Sequence, residues 1–182
     1  MKQKSLVDLL EAYPIAEKKE VPPYKIYCDM DGVLTDFESR FEHYTGMHPQ
    51  VYEKEKGTPA FWELIDNTVG VKFWVGMDWM PAGQQLWDFI KPYQPDLLTS
   101  PSRHNNSRLG KNLWVKNNVN PKPKVIFAYS KAKQRYANEN SILIDDKPSN
   151  IDEWAAKGGI AIRCKNGDVN HVIEKLKELG YE

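Results

Sequence analysis

Residues 24–37 read Tyr24-Lys25-Ile26-Tyr27-Cys28-Asp29-Met30-Asp31-Gly32-Val33-Leu34-Thr35-Asp36-Phe37. The run from Tyr24 to Cys28 is rich in strand formers, and it stops on acids and a glycine, residues that end a strand and turn the chain. Further short apolar runs follow: Asp96-Leu97-Leu98, Val125-Ile126-Phe127-Ala128, Ser141-Ile142-Leu143-Ile144 and Ile160-Ala161-Ile162. These are continuous rather than alternating, as expected of strands buried on both faces of a parallel sheet. Helical stretches separate them: Pro81–Ile90, a span around Lys111–Asn117, Lys131–Ala137 and Ile151–Ala156. Beyond the last strand, Val169, Val172, Ile173, Leu176 and Leu179 recur at helical spacing and end at Gly180. Strand and helix alternating in this way predict an α/β fold with a doubly wound parallel sheet.

Residues 37–80 break the alternation. They hold two helical pieces, Glu38–Tyr44 and Pro59–Asp66, glycine-containing breaks, and the aromatics Phe61, Trp62, Phe73, Trp74 and Trp79. About 40 residues is too long for an ordinary connection, so a small helical cap inserted after the first strand is expected here. Residues 22–36 and 81–182 would then form the core. Residues 1–21, with a short helix expected over Ser5–Ala12, read as an appended arm, and Pro14 and then Pro22-Pro23 as a stiff linker.

Composition narrows the class of protein. The 182 residues carry 25 Lys+Arg against 25 Asp+Glu, a net charge of zero that argues against a basic nucleic-acid coat, and no stable nucleic-acid complex is expected. With 41% hydrophobic and 27% charged residues the chain has the make-up of a globular protein. No stretch approaches the roughly 18 apolar residues of a membrane span. Asp8 and Glu11 interrupt the apolar run at the amino terminus, so a signal peptide is not expected. Cys28 and Cys164 lack the spacing of a zinc site or disulfide framework, which makes a reducing, cytoplasmic setting the default. Aromatic content is high at 12%, with six Trp and nine Tyr. A pocket for something planar is one explanation, and ordinary core packing is the other. The sequence leaves the oligomeric state open, with a homodimer as one option.

Asp29 and Asp31 flank Met30 at the carboxyl end of the first strand, the edge where open α/β sheets bind ligands. Residues two apart in an extended segment face the same way, so both carboxylates can converge on one small volume. Repulsion between them is relieved by a divalent cation or a shared proton. A solvated turn would also explain Asp-x-Asp-Gly, whereas a calcium loop fails because no ordered series of oxygen ligands follows. Thr99-Ser100-Pro101-Ser102 closes the second strand with hydroxyls, suited either to phosphate oxygens or to capping a helix. Asp145-Asp146 closes the fourth, as further site acids or as a turn capping the helix near Ser149. Lys131 and Lys133 open the helix between them, on what is otherwise read as a solvated face. His43, His48, His104 and His171 are scattered without ligand spacing and read as surface or packing residues.

Taken in order, Asp29-Met30-Asp31-Gly32-Val33-Leu34-Thr35-Asp36, Thr99-Ser100, a lysine, and Asp145-Asp146 after an apolar strand resemble the haloacid dehalogenase (HAD) superfamily of phosphohydrolases, over residues 24 to about 165. Within it the chain is similar to the 5′(3′)-deoxyribonucleotidase branch: Phe37 after the first motif, Phe73-Trp74 ahead of Met80-Pro81-Ala82-Gly83, then Leu98-Thr99-Ser100-Pro101, Lys111, Trp114-Val115 and Leu143-Ile144-Asp145-Asp146-Lys147. The rest of the cap sequence is unlike that branch, and residues 1–21 have no counterpart in it.

The resemblance implies a Rossmann-like core and a Mg²⁺-dependent phosphomonoesterase. Asp29 would be the nucleophile and Asp31 the general acid and base. The metal would take a carboxylate oxygen of Asp29, the main-chain carbonyl of Asp31, and either Asp145 or Asp146. Thr99, Ser100 and a lysine would hold the phosphate. Lys133 is the expected lysine, because Lys133-x-x-Tyr136-Ala137 resembles the family's spacing, with Lys131 as the alternative and Lys111 a further candidate through salt bridging. Phe37, Phe73 and Trp74 would form the specificity surface, facing a nucleobase if the substrate is a nucleoside monophosphate. Another phosphomonoester, such as a nucleic-acid end or a sugar phosphate, is the alternative substrate, and a non-catalytic phospholigand-binding domain the alternative function.

Overall fold

All five expected strands pair into one parallel sheet: β1 (Lys25–Cys28), β2 (Asp96–Thr99), β3 (Val125–Phe127), β4 (Ser141–Asp145) and β5 (Ile160–Arg163), in the order β3-β2-β1-β4-β5. The structure is a computed structural model that describes residues 22–182; the arm at 1–21 and the helix expected over Ser5–Ala12 lie outside the described residues. From β1 the chain builds outward through β2 and β3, then crosses back to place β4 on the other side of β1. The order therefore reverses between β1 and β4, which opens a crevice at their carboxyl ends. Asp29 N donates to Ile144 O at 2.9 Å and Cys164 N to Asp145 O at 2.9 Å, so the pairing persists up to the acids.

Alternate residues of each strand enter different cores, as the pleat requires. Ile142 and Ile144 join the larger cluster, with Ile26, Cys28 and Leu97, while Leu143 joins Leu98 and Trp154 on the other face. All five residues of β4 are buried, which explains its unbroken apolar sequence. Helices cover both faces: α5 (Gly83–Ile90), α6 (Asn105–Asn118), α7 (Ser130–Lys133), α8 (Pro148–Ala156) and α9 (Val169–Glu178). Helix α6 starts well before the expected Lys111, because His104 and Ser107 close its first turn with hydrogen bonds that an apolar pattern does not register. Among the described residues no helix is long and apolar enough to cross a membrane.

Between β1 and α5 lies a helical insertion. Its ends are clipped together where Asp36 N donates to Asp78 O at 2.9 Å and Met80 N to Leu34 O at 2.8 Å. Where two helical pieces are expected it contains α1 (Phe37–Thr45), α2 (Pro49–Lys56), α3 (Thr58–Glu63), a π-helical turn (Leu64–Val69) and α4 (Val71–Val75). Asp36 caps α1 through Ser39 N, and His48 caps α2 with Pro49 in its first turn. Phe41, Phe61, Ile65, Phe73 and Trp74 of the insertion belong to the same hydrophobic cluster as the sheet.

Candidate active site

Asp29 follows directly on β1 and is 7% exposed. Its Oδ1 accepts from Met30 N at 2.7 Å, and its Oδ2 lies 2.7 Å from Lys133 Nζ. That ammonium also reaches Asp145 Oδ2 at 2.6 Å, so a lysine at 1% exposure bridges β1 to β4. Burial alone would lower the pKa of Lys133; the charges of Asp29 and Asp145 outweigh it and raise the pKa above the ordinary lysine value. Lys131, the alternative lysine, is exposed.

Asp31 is held by a different cation. Lys111 Nζ, from the second turn of α6 and fully buried, donates to Asp31 Oδ2 at 2.6 Å, to Thr99 Oγ1 at 2.8 Å and to Ser100 O at 2.9 Å. The other oxygen of Asp31 faces the Thr35 hydroxyl at 3.0 Å. A hydroxyl can donate or accept, so either protonation state of that carboxyl has a partner. Asp29 and Asp31 are thus close in the chain and separate in their contacts.

One carboxylate oxygen from each of Asp29, Asp145 and Asp146 falls within 4.8 Å of the others. Burial and then the charge of Asp29 push Asp145 up to about 6, with Lys133 opposing. Burial, Asp29 and Asp145 push Asp146 up to about 7. Three crowded acids whose charges oppose one another are what a hard cation relieves, and their oxygens suit Mg²⁺. The two neighbours differ in what they have left to offer. Both oxygens of Asp145 are engaged, Oδ1 by Lys147 N and Asn150 Nδ2 and Oδ2 by Lys133 and Asn150. Asp146 makes its contact to Arg163 through its main-chain oxygen, and its carboxyl lies against Gly32, where a Cβ would stand 2.7 Å from Oδ2. With φ at +76°, Gly32 supplies a left-handed turn as well as this close approach.

Thr99 is buried at the end of β2, and Ser100 is half-buried with its hydroxyl 3.4 Å from that of Ser130. Cys28 is no rival nucleophile: burial pushes its thiol well up, and Sγ donates to Asp29 O at 3.3 Å. The three aromatics expected at the specificity surface differ in exposure. Phe73 and Trp74 are 0% and 2% exposed, because α4 packs on α6 and both rings join the hydrophobic cluster that the insertion shares with the sheet. Phe37, half-buried and 5.2 Å and 5.9 Å from their ring centroids, remains at the cluster's margin. Asn150 escaped sequence reading altogether. A buried amide two residues after a proline looks like helix-start chemistry, and only its position opposite Asp145 marks it as part of the site.

No family model matches the chain, and no curated protein matches it in sequence. Solved structures do match in fold. A predicted phosphatase from Clostridium acetobutylicum superposes with a TM-score of 0.51 at 12% identity, over 86% of this chain and 90% of that one. A hydrolase from Streptococcus pneumoniae TIGR4 gives 0.51 at 14% identity, over 86% and 100%. A HAD-family enzyme from Bacteroides thetaiotaomicron, in its magnesium complex, gives 0.50 at 15% identity, over 84% and 99%. At such identities the likeness is one of fold, and it matches the Rossmann-like core with five parallel strands described above.

Proposed function

We propose that this protein is a phosphomonoesterase in which Asp29 is the nucleophile and Asp31 the proton-transfer group. The observation that carries the reading is the division of labour at the end of β1: one carboxylate joins the acidic cluster and Lys133, while the other is held apart by Lys111 and Thr35. Asp29, Asp146 and the main-chain carbonyl of Asp31 would hold Mg²⁺, with Asp145 anchoring Lys133. Lys133, Lys147 and Asn150 engage both oxygens of Asp145, whereas among the described residues the Asp146 carboxyl is bonded only by its own backbone, and that supports the choice. Bound there, Mg²⁺ would offset the crowded carboxylates and polarise the phosphoryl oxygens.

In the first step a carboxylate oxygen of Asp29 attacks phosphorus, the bond from phosphorus to the leaving alkoxide breaks, and Asp31 gives that alkoxide a proton. In the second, water attacks the aspartyl-phosphate, Asp31 takes a proton from it, and the bond from Asp29 to phosphorus breaks. Thr99, Ser100 and Lys133 would receive the phosphate oxygens, the lysine as a point charge against negative charge gathering in the transition state. The insertion of residues 37–80 would act as the cap, with Phe37 at the rim facing the leaving group. A nucleoside monophosphate is the proposed substrate, since the half-buried Phe37, which follows the Asp29–Asp36 segment in the chain, would offer its ring to a planar base.

Phosphate release from p-nitrophenyl phosphate, mononucleotides, phosphorylated oligonucleotides and sugar phosphates tests both parts. Asp29→Asn is expected to lower turnover by about a thousandfold or more, at near wild-type thermal stability, and EDTA to abolish it. Wild-type rates in Asp29→Asn would overturn the mechanism. Mononucleotides no better than p-nitrophenyl phosphate would overturn the substrate.

A further inference from the structure

One buried acid lies outside this machinery. Asp66 sits in the π-helical turn Leu64–Val69 of the insertion, 6% exposed. Its Oδ1 accepts from Ser102 Oγ at 2.7 Å, and its main-chain oxygen accepts from Asn106 Nδ2 at 2.7 Å. Ser102 is itself buried and is the centre of a closed loop: its N donates to Ser107 Oγ at 3.0 Å, and its Oγ accepts from His104 N at 3.2 Å. The carboxylate therefore fastens the insertion to the segment that leads from the phosphate-binding hydroxyls into α6.

That segment is held at two points. Lys111 grips it at Ser100 O, and Asp66 grips it at Ser102. The first hold comes from the core and the second from the insertion. A hydroxyl partner alone would be satisfied by a neutral acceptor, whereas an acid here must be desolvated, and burial raises its pKa above the ordinary value. A charge-assisted bond is the stronger restraint that such a placement provides. The π turn around it is a helical irregularity of the kind found where a side chain must be aimed.

We infer that Asp66 is a positioning residue for phosphate binding, setting the 100–104 segment through Ser102 so that the Thr99–Ser100 end of β2 presents its hydroxyls to the substrate. The inference rests on the phosphomonoesterase reading. Asp66 acts on the side that binds phosphate and touches neither Asp29 nor Asp31, so its loss acts on substrate affinity before chemistry.

The test is steady-state hydrolysis of p-nitrophenyl phosphate with Mg²⁺ by the full chain, with melting temperature measured in parallel. Asp66→Ala is expected to raise KM about tenfold with kcat within about twofold, the scale of one lost charge-assisted hydrogen bond. Asp66→Asn, which keeps an acceptor oxygen without the charge, should fall between wild type and Asp66→Ala in KM. Ser102→Ala should reproduce Asp66→Ala, and the double variant should be no worse than either single one. If Asp66→Ala does not fold, Ser102→Ala reads the same bond. A lowered melting temperature with unchanged KM, or Asp66→Asn as impaired as Asp66→Ala, overturns the inference. An inactive wild type overturns the phosphomonoesterase reading and the inference with it, and is seen before any variant is made.

Discussion

Two buried lysines share the site's aspartates between them, Lys133 taking Asp29 and Asp145 and Lys111 taking Asp31. A buried charge is stabilised by its partner or not at all, so removing either lysine would leave a carboxylate stranded in a poorly solvating place. Among the described residues Asp66 has no cation in ion-pair contact; it has Ser102, and the His104 charge acts on it more weakly. Its carboxyl holds its proton to higher pH in the fold than in the unfolded chain. Ionised Asp66 therefore subtracts stability at neutral pH, and the subtraction vanishes as pH falls through the carboxylate range. The melting temperature of Asp66→Asn relative to wild type should accordingly rise between about pH 4 and 7, and a flat difference would show that Asp66 is not desolvated. At this scale the acids of the site were legible, because each follows an apolar strand. Asp66 was not, since it falls at the end of the helical piece expected over Pro59–Asp66 with no apolar strand before it to mark it as buried. Phe73 and Trp74 were ambiguous for a related reason: aromatic residues clustered in sequence can form a pocket wall or a core, and the choice depends on what packs against them.

The contact between α4 and α6 makes that choice. Gly110 lies on the face of α6 that meets α4, and a Cβ there would stand 2.4 Å from Trp74 Cβ and 3.1 Å from Val71 O. Neither neighbour is the far end of a flexible side chain, so the helices would have to separate. Gly110→Ala should cost about 1–3 kcal/mol in urea unfolding despite alanine's better helix propensity. The same change would lift the helix carrying Trp74 off the helix carrying Lys111, whose ammonium lies 5.1 Å from the Trp74 ring. A stabilised Gly110→Ala would mean that the two helices are not in close contact. Strands were read from the sequence nearly residue for residue because each is a short apolar run between helices, fully buried in β4 and partly so in β3 and β5. Helices α2 and α4 were missed for opposite reasons. In Pro49–Lys56 charge dilutes the apolar signal to Val51 and Tyr52, and Val71–Val75 is too short, between Gly70 and Gly76, to show a helical period.

Across the whole molecule, the site occupies the carboxyl edge of the sheet and the described chain is closed at the opposite edge. Tyr181 OH donates to Tyr24 O at 2.8 Å, just ahead of β1. Tyr93 OH donates to Glu182 O at 2.6 Å, and its ring meets that of Tyr181 edge-on at 4.7 Å. The last residues are thereby tied to the strand that carries Asp29, at the end remote from it. Tyr181 is 1% exposed, and burial, followed by the charges that Tyr24 and Tyr93 would carry, pushes its phenol up to about 12. A phenol that stays neutral in the fold while the unfolded chain ionises near pH 10 contributes stability that is fully present below about 10 and lost as pH rises toward 12. Tyr181→Phe gives up one hydrogen bond, about 1 kcal/mol at pH 7, and also removes this titration. The unfolding midpoint of Tyr181→Phe should therefore lie below wild type at pH 7 and approach it as pH is raised from 10 to 11. Because the seam and the site are at opposite ends of β1, kcat and KM at pH 7 should be unchanged. A stability difference that stays constant between pH 7 and 11 would mean that Tyr181 ionises as freely in the fold as outside it.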